Sequence, residues 1–322
     1  MVKKKAMETS NSKAKKIYIH DEELIANSMK VRFFPMVIAE GKGVTVKDVD
    51  GKKYIDFSAG SACQPVGYNH PEVVEAIIAQ TKKLAHNCLP LYSYENAISL
   101  AQKLIEITPG SFKKKVWFGC SGSDASECIY KLSRCFTGRK RVLSFIGGFY
   151  GVRTAALSMT GHPAISKSIR FPGIVKVPYP YCYRCPFGLE YPECNLQCLE
   201  YLDYVFSTLS PPEDIAFMFV EPIQGDAGMI VPPEEFLPSL YKICKEHNIL
   251  FAVDEVRTGF GRTGRMFATE YAGIEPDAIT MGKPIASGLP LSACVARREI
   301  LDCPGGFHVL TTAGTRFPVL RV

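Results

Sequence analysis

The sequence contains no apolar stretch long enough to cross a bilayer. A membrane helix needs about 20 apolar residues, and the longest apolar segments, such as Ile215–Val220, are far shorter. The lysine-rich start is followed by polar residues and not by an apolar run, so we expect no secretory signal peptide. Without an export signal, the 12 cysteines are expected to remain reduced in a cytoplasmic protein, unless some of them bind a metal.

The chain also has little excess charge outside its first residues. The formal net charge is +6, but residues 1–16 contain six lysines and one acidic residue, which leaves +1 for the rest of the chain. Because the charges of the chain after residue 16 nearly cancel, the sequence does not favour a nucleic-acid partner. We expect residues 1–16 to be a basic, disordered tail.

The apolar pattern that is present favours an α/β fold. From about residue 114, short continuous apolar strands alternate with amphipathic helices, which is typical of a mostly parallel central sheet flanked by helices. Strands are predicted at Val116–Gly119, Val142–Ile146, Ile215–Val220, Ile249–Val253 and Ala278–Met281, and helices at Asp124–Phe136 and Glu234–His247. Upstream, we expect two β segments within Gly43–Phe57, a helix that begins at Pro71 and another over Glu95–Ile107.

Three of the predicted strands end on an ionisable residue: Glu221, Asp254 and Lys283. Glu221 and Asp254 are 33 residues apart, and Asp254 and Lys283 are 29 apart, about one βαβ unit each. Parallel strands place their carboxyl ends at one edge of the sheet, where ligands of open α/β sheets bind. We therefore expect two carboxylates and a lysine to converge on one crevice.

The segment Cys120–Ala125 follows a predicted strand and opens a helix at the same edge. Gly122 and Ser123 lie where a helix N-terminus offers N–H groups and a positive dipole end to a phosphate. The alternative is an ordinary serine cap with acidic residues in the first turn. This motif alone does not separate the two interpretations.

Five blocks of the sequence resemble, in order and spacing, the signature blocks of the class III aminotransferases, which include 4-aminobutyrate, ornithine and acetylornithine aminotransferases. The blocks are SGSDASECIYKLSR, FIGGFYGVRTAALSMTG, VEPIQGDAG, VDEVRTGFGRTG and PDAITMGKPIASGLPLSA. The resemblance covers roughly residues 30–314 and implies the fold type I of enzymes that depend on pyridoxal phosphate (PLP). Residues 17–70 would then belong to a small domain that is incomplete, and residues 71–314 to the large PLP-binding domain.

The resemblance implies a role for each strand-end residue. Lys283 would hold PLP through a Schiff base and move the substrate proton. Asp254 would keep the pyridine nitrogen protonated, so that the ring withdraws electrons. Glu221 would lie near the substrate carboxylate, with Gln224 on the same strip.

Further contacts to the cofactor are implied by the same blocks. Gly122 and Ser123 would bind the phosphate, Phe149 would stack on the ring, and Val256 would pack on its other face. Phe149 taken alone would equally suit the protein core. Arg257 replaces a glutamine common in the family, and it would bond the cofactor oxygen, bind a substrate carboxylate or turn to solvent.

The implied reaction is transamination from an amino acid or ω-amino acid, such as 4-aminobutyrate, to a 2-oxo acid such as 2-oxoglutarate. The implied assembly is a homodimer. Two alternatives stay open: a racemase or epimerase of the same family, which uses overlapping residues, and a truncated PLP-binding protein without activity.

Two features depart from the family pattern. Four cysteines, Cys182, Cys185, Cys194 and Cys198, form paired short spacings that suit zinc or an iron–sulfur cluster, or else a reduced cysteine set in a surface loop. Thr311 corresponds to the family threonine that reaches the phosphate of the neighbouring subunit, but the resemblance stops at Gly314. We expect residues 315–322 to be an aberrant tail that follows a frameshift.

Overall fold

The computed structural model describes residues 12–162 and 171–303. Thr311, the segment after Gly314 and most of the basic tail lie outside these residues. Helices span α1 (Lys13–Leu24), α2 (Pro71–Lys83), α3 (Glu95–Ile107), α4 (Gly122–Thr137), α5 (Thr154–Met159), α6 (Gln197–Thr208), α7 (Phe236–Glu246) and α8 (Arg298–Leu301). Strands span β1 (Ile38–Lys42), β2 (Thr45–Asp48), β3 (Lys53–Ile55), β4 (Lys114–Gly119), β5 (Arg141–Phe145), β6 (Ile174–Val177), β7 (Ile215–Val220), β8 (Leu250–Asp254), β9 (Ala278–Met281) and β10 (Ser292–Arg297).

The larger sheet has seven strands in the order β4-β10-β9-β8-β7-β5-β6. Strands β9, β8, β7, β5 and β6 pair in parallel, whereas β10 runs antiparallel to both β4 and β9. The α/β fold with a mostly parallel central sheet is therefore confirmed. Every crossover between parallel strands returns the chain to the same sheet edge, which aligns the ends of β7, β8 and β9.

The core lies on both faces of this sheet. In β7, all six residues are buried, and alternate side chains point to opposite faces. Met218 and Val220 pack with residues of α6 and α7, while Phe217 and Phe219 pack with residues of α4. Each such side chain stabilises the fold by about 1.5–3 kcal/mol through burial. This two-sided burial explains why β7 is continuously apolar.

The N-terminal strands β1, β2 and β3 form a separate antiparallel sheet. The β2–β3 turn is held by Asp48, whose carboxylate accepts hydrogen bonds from Asp50 N, Lys52 N and the Tyr54 hydroxyl. The two predicted β segments are confirmed, and β1 is an additional strand. Helix α1 begins at Lys13, so the expectation of disorder is wrong for residues 13–16, where Ser12 caps the helix by accepting from Lys15 N.

The described helices include none that is both long and apolar enough to span a membrane. Helices α2 and α3 begin at Pro71 and Glu95 as predicted. A four-residue helix at Ala59–Ala62 and five short 3-10 turns complete the described elements; the turns lie at Asn27–Met29, Cys182–Arg184, Pro212–Asp214, Ala268–Ala272 and Lys283–Ala286.

Candidate active site

A cavity of about 290 Å³ opens at the carboxyl edge of the parallel strands. Glu221, Asp254 and Lys283 all line it, at the ends of β7, β8 and β9. The predicted convergence of these three residues is thus what the fold produces. Further walls come from the start of α4, from the loop after β5 and from the segments around Cys63 and Leu289.

The start of α4 is shaped for close approach to a ligand. Asp124 accepts hydrogen bonds from Cys120 N (3.0 Å) and Ser121 N (2.9 Å), which fixes the turn between β4 and the helix. A Cβ on Gly122 would lie 2.9 Å from Val256 Cγ1, and one on Gly151 would lie 2.8 Å from Ser123 Cα. Only glycine fits either position. The result is a pocket wall of backbone at a helix N-terminus, where an anion binds most readily.

Asp254 is buried as the last residue of β8. Its Oδ1 accepts a hydrogen bond from Val256 N at 2.9 Å. Burial raises the pKa of Asp254 to about 7, although that hydrogen bond and the nearby Lys283 charge act in the opposite direction. A cation placed against this carboxylate would keep it ionised.

Lys283 follows β9 directly after Gly282, with a left-handed φ of 42°. Such a conformation costs a non-glycine residue about 1–3 kcal/mol. Burial, and next the charge of Arg257, lower the pKa of Lys283, whereas Asp254 and Asp226 oppose the change. A lysine with a lowered pKa has more of the neutral amine, which is the form that reacts with carbonyl groups.

Glu221 is a buried carboxyl group at the end of β7. It accepts hydrogen bonds from Phe149 N (3.0 Å) and Gly225 N (3.1 Å). Burial and the charge of Asp254 raise the pKa of Glu221 to about 8 in spite of these bonds. Near neutral pH this carboxyl group therefore exists largely in its protonated form.

Gln224 differs from the prediction of a substrate-side residue. Its amide donates to the Ile146 carbonyl at 3.0 Å, and the side chain is buried outside the cavity lining. Its backbone pairs with Ile230 in an antiparallel bridge, which turns the side chain away from the site. Gln224 therefore supports the loop after β7 and does not face a ligand.

Arg257 lines the cavity and forms an ion pair with Asp226, with Nη2 and Oδ1 2.7 Å apart. The arginine stem covers Gly225, where a Cβ would lie 2.4 Å from Arg257 Cδ. Of the three predicted alternatives, the one in which Arg257 turns to solvent is not the one in the structure, and the two that face the cavity both stay open. Sequence reasoning missed Asp226, because a lone acid within a glycine-containing loop carries no periodic signal.

Phe149 and Val256 both lie in the cavity lining and are only partly buried, so Phe149 is not a core residue. The neighbouring Glu255 was not predicted to matter. It is fully buried and accepts hydrogen bonds from Thr269 N (2.7 Å), the Thr269 hydroxyl (2.6 Å), Ala268 N (3.2 Å) and the Thr258 hydroxyl. Glu255 thus anchors the loop after β8 that carries Val256 and Arg257.

The four clustered cysteines lie on a separate loop between β6 and α6. Within residues 12–162 and 171–303, no group of three or more histidine, cysteine, aspartate or glutamate side chains is arranged to hold a metal ion. This contradicts the predicted zinc or iron–sulfur site. The paired spacings are present and the four cysteines line one small cavity, but among the described residues they are not placed as a metal-ligating group.

Comparisons with known proteins identify the family and the fold. The family model "Aminotransferase class-III" matches residues 26–315. The chain is 40% identical over 309 residues to an alanine/serine racemase of Pyrococcus horikoshii, which covers 94% of this chain and 65% of that protein. It is 38% identical over 269 residues to a probable 4-aminobutyrate aminotransferase of Bacillus subtilis, covering 82% of this chain and 61% of that protein.

Among solved structures, taurine:2-oxoglutarate aminotransferase from Bifidobacterium kashiwanohense, in complex with PLP and glutamate, superposes with a TM-score of 0.82. The two chains are 28% identical, and the match covers 91% of this chain and 67% of that one. The chain spans about two thirds of the length of the curated relatives it matches. The protein belongs to the class III aminotransferases, a family of PLP-dependent enzymes.

Proposed function

We propose that this protein binds PLP at the strand-end cavity and transfers an amino group from an amino acid or ω-amino acid to a 2-oxo acid. The observation that carries the proposal is the shared cavity of Lys283, Asp254 and the glycine-walled start of α4. These are a reactive amine, a buried carboxylate and an anion site within one crevice. Their chemistry matches the aldehyde, the pyridine nitrogen and the phosphate of PLP.

The phosphate fits the start of α4. The first N–H groups of a helix have no partner within the helix, and Gly122 and Ser123 present theirs toward the cavity. The Ser123 hydroxyl accepts from Val152 N at 3.0 Å, which ties the loop after β5 to the same wall. The absence of Cβ atoms at Gly122 and Gly151 lets Val256 and Ser123 pack directly against this backbone, which holds the wall of the cavity in place.

Asp254 would hold the ring nitrogen. A buried carboxyl group with a pKa of about 7 becomes a stable carboxylate when a pyridinium cation lies against it. When bound, PLP supplies an electron-withdrawing ring that stabilises negative charge at the substrate α carbon. Phe149 and Val256, which line the cavity, would contact the two faces of this ring.

Lys283 would attach the cofactor and then serve as a base. Its lowered pKa keeps the Nζ amine available to accept the proton from the substrate carbon and return it to the cofactor side. The Arg257 guanidinium would receive a substrate carboxylate in exchange for part of its contact with Asp226. Lys283 would thus act at the reacting carbon, while Arg257 would orient the substrate through its carboxylate.

A Lys283→Ala variant tests the proposal. With 4-aminobutyrate as donor and 2-oxoglutarate as acceptor, glutamate formation should fall by at least about a thousandfold, because one group provides both attachment and proton transfer. The visible absorbance of the lysine-bound cofactor should disappear as well. The matched control is Lys242→Ala, an exposed lysine of α7, which should retain both. A variant at Lys283 with normal cofactor absorbance and turnover would contradict the assignment, and an unaltered chain without cofactor absorbance would favour an inactive protein.

A second candidate function is racemisation or epimerisation of an amino acid. The observation that favours it is Asp226, a carboxylate in the same cavity whose charge acts on Lys283. Racemisation requires a proton to leave one face of the carbon and return to the other, so it benefits from two acid–base groups. The alanine/serine racemase that resembles this chain makes such a reaction worth testing.

The two functions differ when an amino acid is supplied alone in deuterated water. Racemisation yields both enantiomers with deuterium at the α carbon and does not consume the amino acid. Transamination consumes about one equivalent of donor per site and then stops until a 2-oxo acid is added. An Asp226→Asn variant should lose racemisation and keep transamination.

We further propose that the active assembly is a homodimer. The segment that precedes β1 and the N-terminal sheet expose several large apolar side chains, among them Phe33 (66%), Phe34 (70%) and Phe57 (96%). Contiguous apolar surface of this kind is characteristic of association. Light scattering of the purified protein should give twice the mass of the chain.

A further inference from the structure

The loop between β6 and α6 gathers four of the twelve cysteines in a short span. Cys182 opens the 3-10 turn Cys182–Arg184, and Cys185 closes it. Further on, Asn195 and Leu196 adopt left-handed φ angles of 46° and 57°, which reverse the chain sharply. The reversal returns Cys194 toward the first pair and starts α6, which carries Cys198.

These thiols share one enclosed space. A cavity of about 20 Å³ is lined by Cys182, Cys185, Cys194 and Cys198, together with Tyr179 and neighbouring residues. Burial and, next, the adjacent Cys194 thiol raise the pKa of Cys182. Cys182 and Cys194 line the same small cavity, so they are neighbours in space although they lie twelve positions apart in the sequence.

Exposure differs along the set. Cys182 is exposed, Cys185 and Cys194 are half-buried, and Cys198 is buried on α6. A reagent from solvent therefore meets Cys182 first. Cys194 is half-buried on the turn that faces Cys182, whereas Cys198 is held within a regular helix. This arrangement has one accessible thiol and one adjacent thiol, which is what thiol–disulfide exchange requires.

We propose that Cys182 and Cys194 form a reversible disulfide, so that this loop is a thiol-oxidation site. The oxidant is a small disulfide such as oxidised glutathione. The Cys182 thiolate attacks one sulfur of the oxidant and releases one thiolate. Cys194 then loses its proton and attacks the sulfur of Cys182, which breaks the mixed disulfide and releases the second thiolate. The two cysteine protons end on the two released thiols, and both electrons pass to the oxidant.

The site is connected to the cavity that holds Lys283. Tyr179 lines the cysteine cavity, and its hydroxyl donates to the carbonyls of Glu221 and Pro222, both at 3.1 Å. The residue that ends β7 at the active site is therefore held by a side chain from the wall of the cysteine loop. A cross-link that rigidifies this loop acts on a segment in direct contact with Glu221.

The experiment uses the full chain with PLP, treated with oxidised glutathione, alkylated and digested with trypsin without reduction. Trypsin cleaves after Arg184, so Cys182 lies in the fragment 177–184 and Cys194 in the fragment 185–242. The disulfide should join these two fragments into one species, and reduction should separate them. A Cys194→Ser variant should abolish the joined species, whereas Cys135→Ser, which changes an exposed cysteine of α4, should preserve it.

Three results would overturn the proposal. The first is that the fragments remain separate after oxidation, and the second is that the joined species persists in Cys194→Ser, which assigns the partner to Cys185 or Cys198. The third is that the purified protein contains one zinc per chain that blocks the oxidation and is lost in Cys182→Ser. Circular dichroism of each variant at the same concentration confirms that the fold is retained.

Discussion

At the scale of single residues, the site depends on carboxyl groups that burial keeps from ionising freely. Glu221 and Asp254 lie at adjacent strand ends, and burial raises the pKa of both, to about 8 and about 7. A charge placed nearby would change the ionisation of each carboxyl group: a cation on the cofactor would do so for Asp254, and a substrate for Glu221. The same property makes the stability of the cofactor-free protein depend on pH.

Glu221 provides the clearest pH test. Its pKa is about 8 in the folded protein against an ordinary 4.5, so the folded state binds more protons between these values. The free energy of unfolding therefore falls as the pH rises through this window. In Glu221→Gln, that fall should be smaller by roughly 2–4 kcal/mol, measured by urea denaturation of cofactor-free protein at both ends of the window. Glu200→Gln, at an exposed position of α6, should behave like the unaltered protein, and an unchanged slope in Glu221→Gln would contradict the assignment.

The sequence predicted part of this site well. Glu221, Asp254 and Lys283 were found because each follows a continuous apolar strand, so that burial of the strand fixes where the next residue emerges. Asp226 and Cys63 carry no such signal, since they come from irregular segments. Gln224, expected on the substrate side, lies outside the cavity lining and bonds Ile146, because the loop after β7 turns back on Ile230 and the orientation of a loop side chain depends on tertiary contacts.

At the scale of elements, the junction of β4 and α4 would form the proposed phosphate site. Asp124 binds the N–H groups of Cys120 and Ser121 and also pairs with Arg153. The Asp124 carboxylate thus occupies these two N–H groups, which would otherwise be free to bind a ligand. It also fixes the turn that positions Gly122 and Ser123 in the cavity wall.

We expect Asp124→Asn to destabilise this junction. Asparagine keeps an acceptor but removes the negative charge at the helix N-terminus and the ion pair with Arg153, which costs about 0.3–1 kcal/mol, and PLP affinity should fall roughly tenfold because the turn is held less firmly. Thermal unfolding and a PLP titration measure the two effects. Asp203→Asn, at an exposed position of α6, is the matched control, and equal affinities in the two variants would contradict this role.

Strand β10 shows where prediction of elements failed. Five of its six residues are buried, so its apolar pattern does not reveal the direction in which it runs. Direction depends on the short connection from Lys283 to Ser292, which returns the chain beside β9 in the antiparallel sense. Strand β1 was missed because its residues are mostly exposed, which leaves no alternating pattern.

At the scale of the whole molecule, the N-terminal sheet presents an apolar surface. Ile55 ends β3 and Phe57 follows two residues later in the next turn, and the Val44 carbonyl accepts a hydrogen bond from Asp56 N between them. All three side chains are mostly exposed. Their burial against a second copy would contribute to the proposed homodimer.

A double variant, Ile55→Ser with Phe57→Ser, should raise the dimer dissociation constant by at least about tenfold, because it removes apolar contact area. Analytical ultracentrifugation over a range of concentrations measures this change. Tyr183→Ser removes an equally exposed aromatic side chain elsewhere and serves as the control. An unchanged constant in the double variant would place the interface on another surface.

Strand β10 has a consequence for the order in which the site is made. Among the described strands it is the last in sequence, yet it lies between β4 and β9 in the sheet. Ser292 is opposite Gly119, and Ala293 is opposite both Phe118 and Met281. During synthesis on the ribosome, the helix start that would receive the phosphate and the lysine that would hold the aldehyde are therefore joined only when residues 292–297 have emerged. A cofactor held by both of these segments would therefore bind late in synthesis, after the other described strands have emerged.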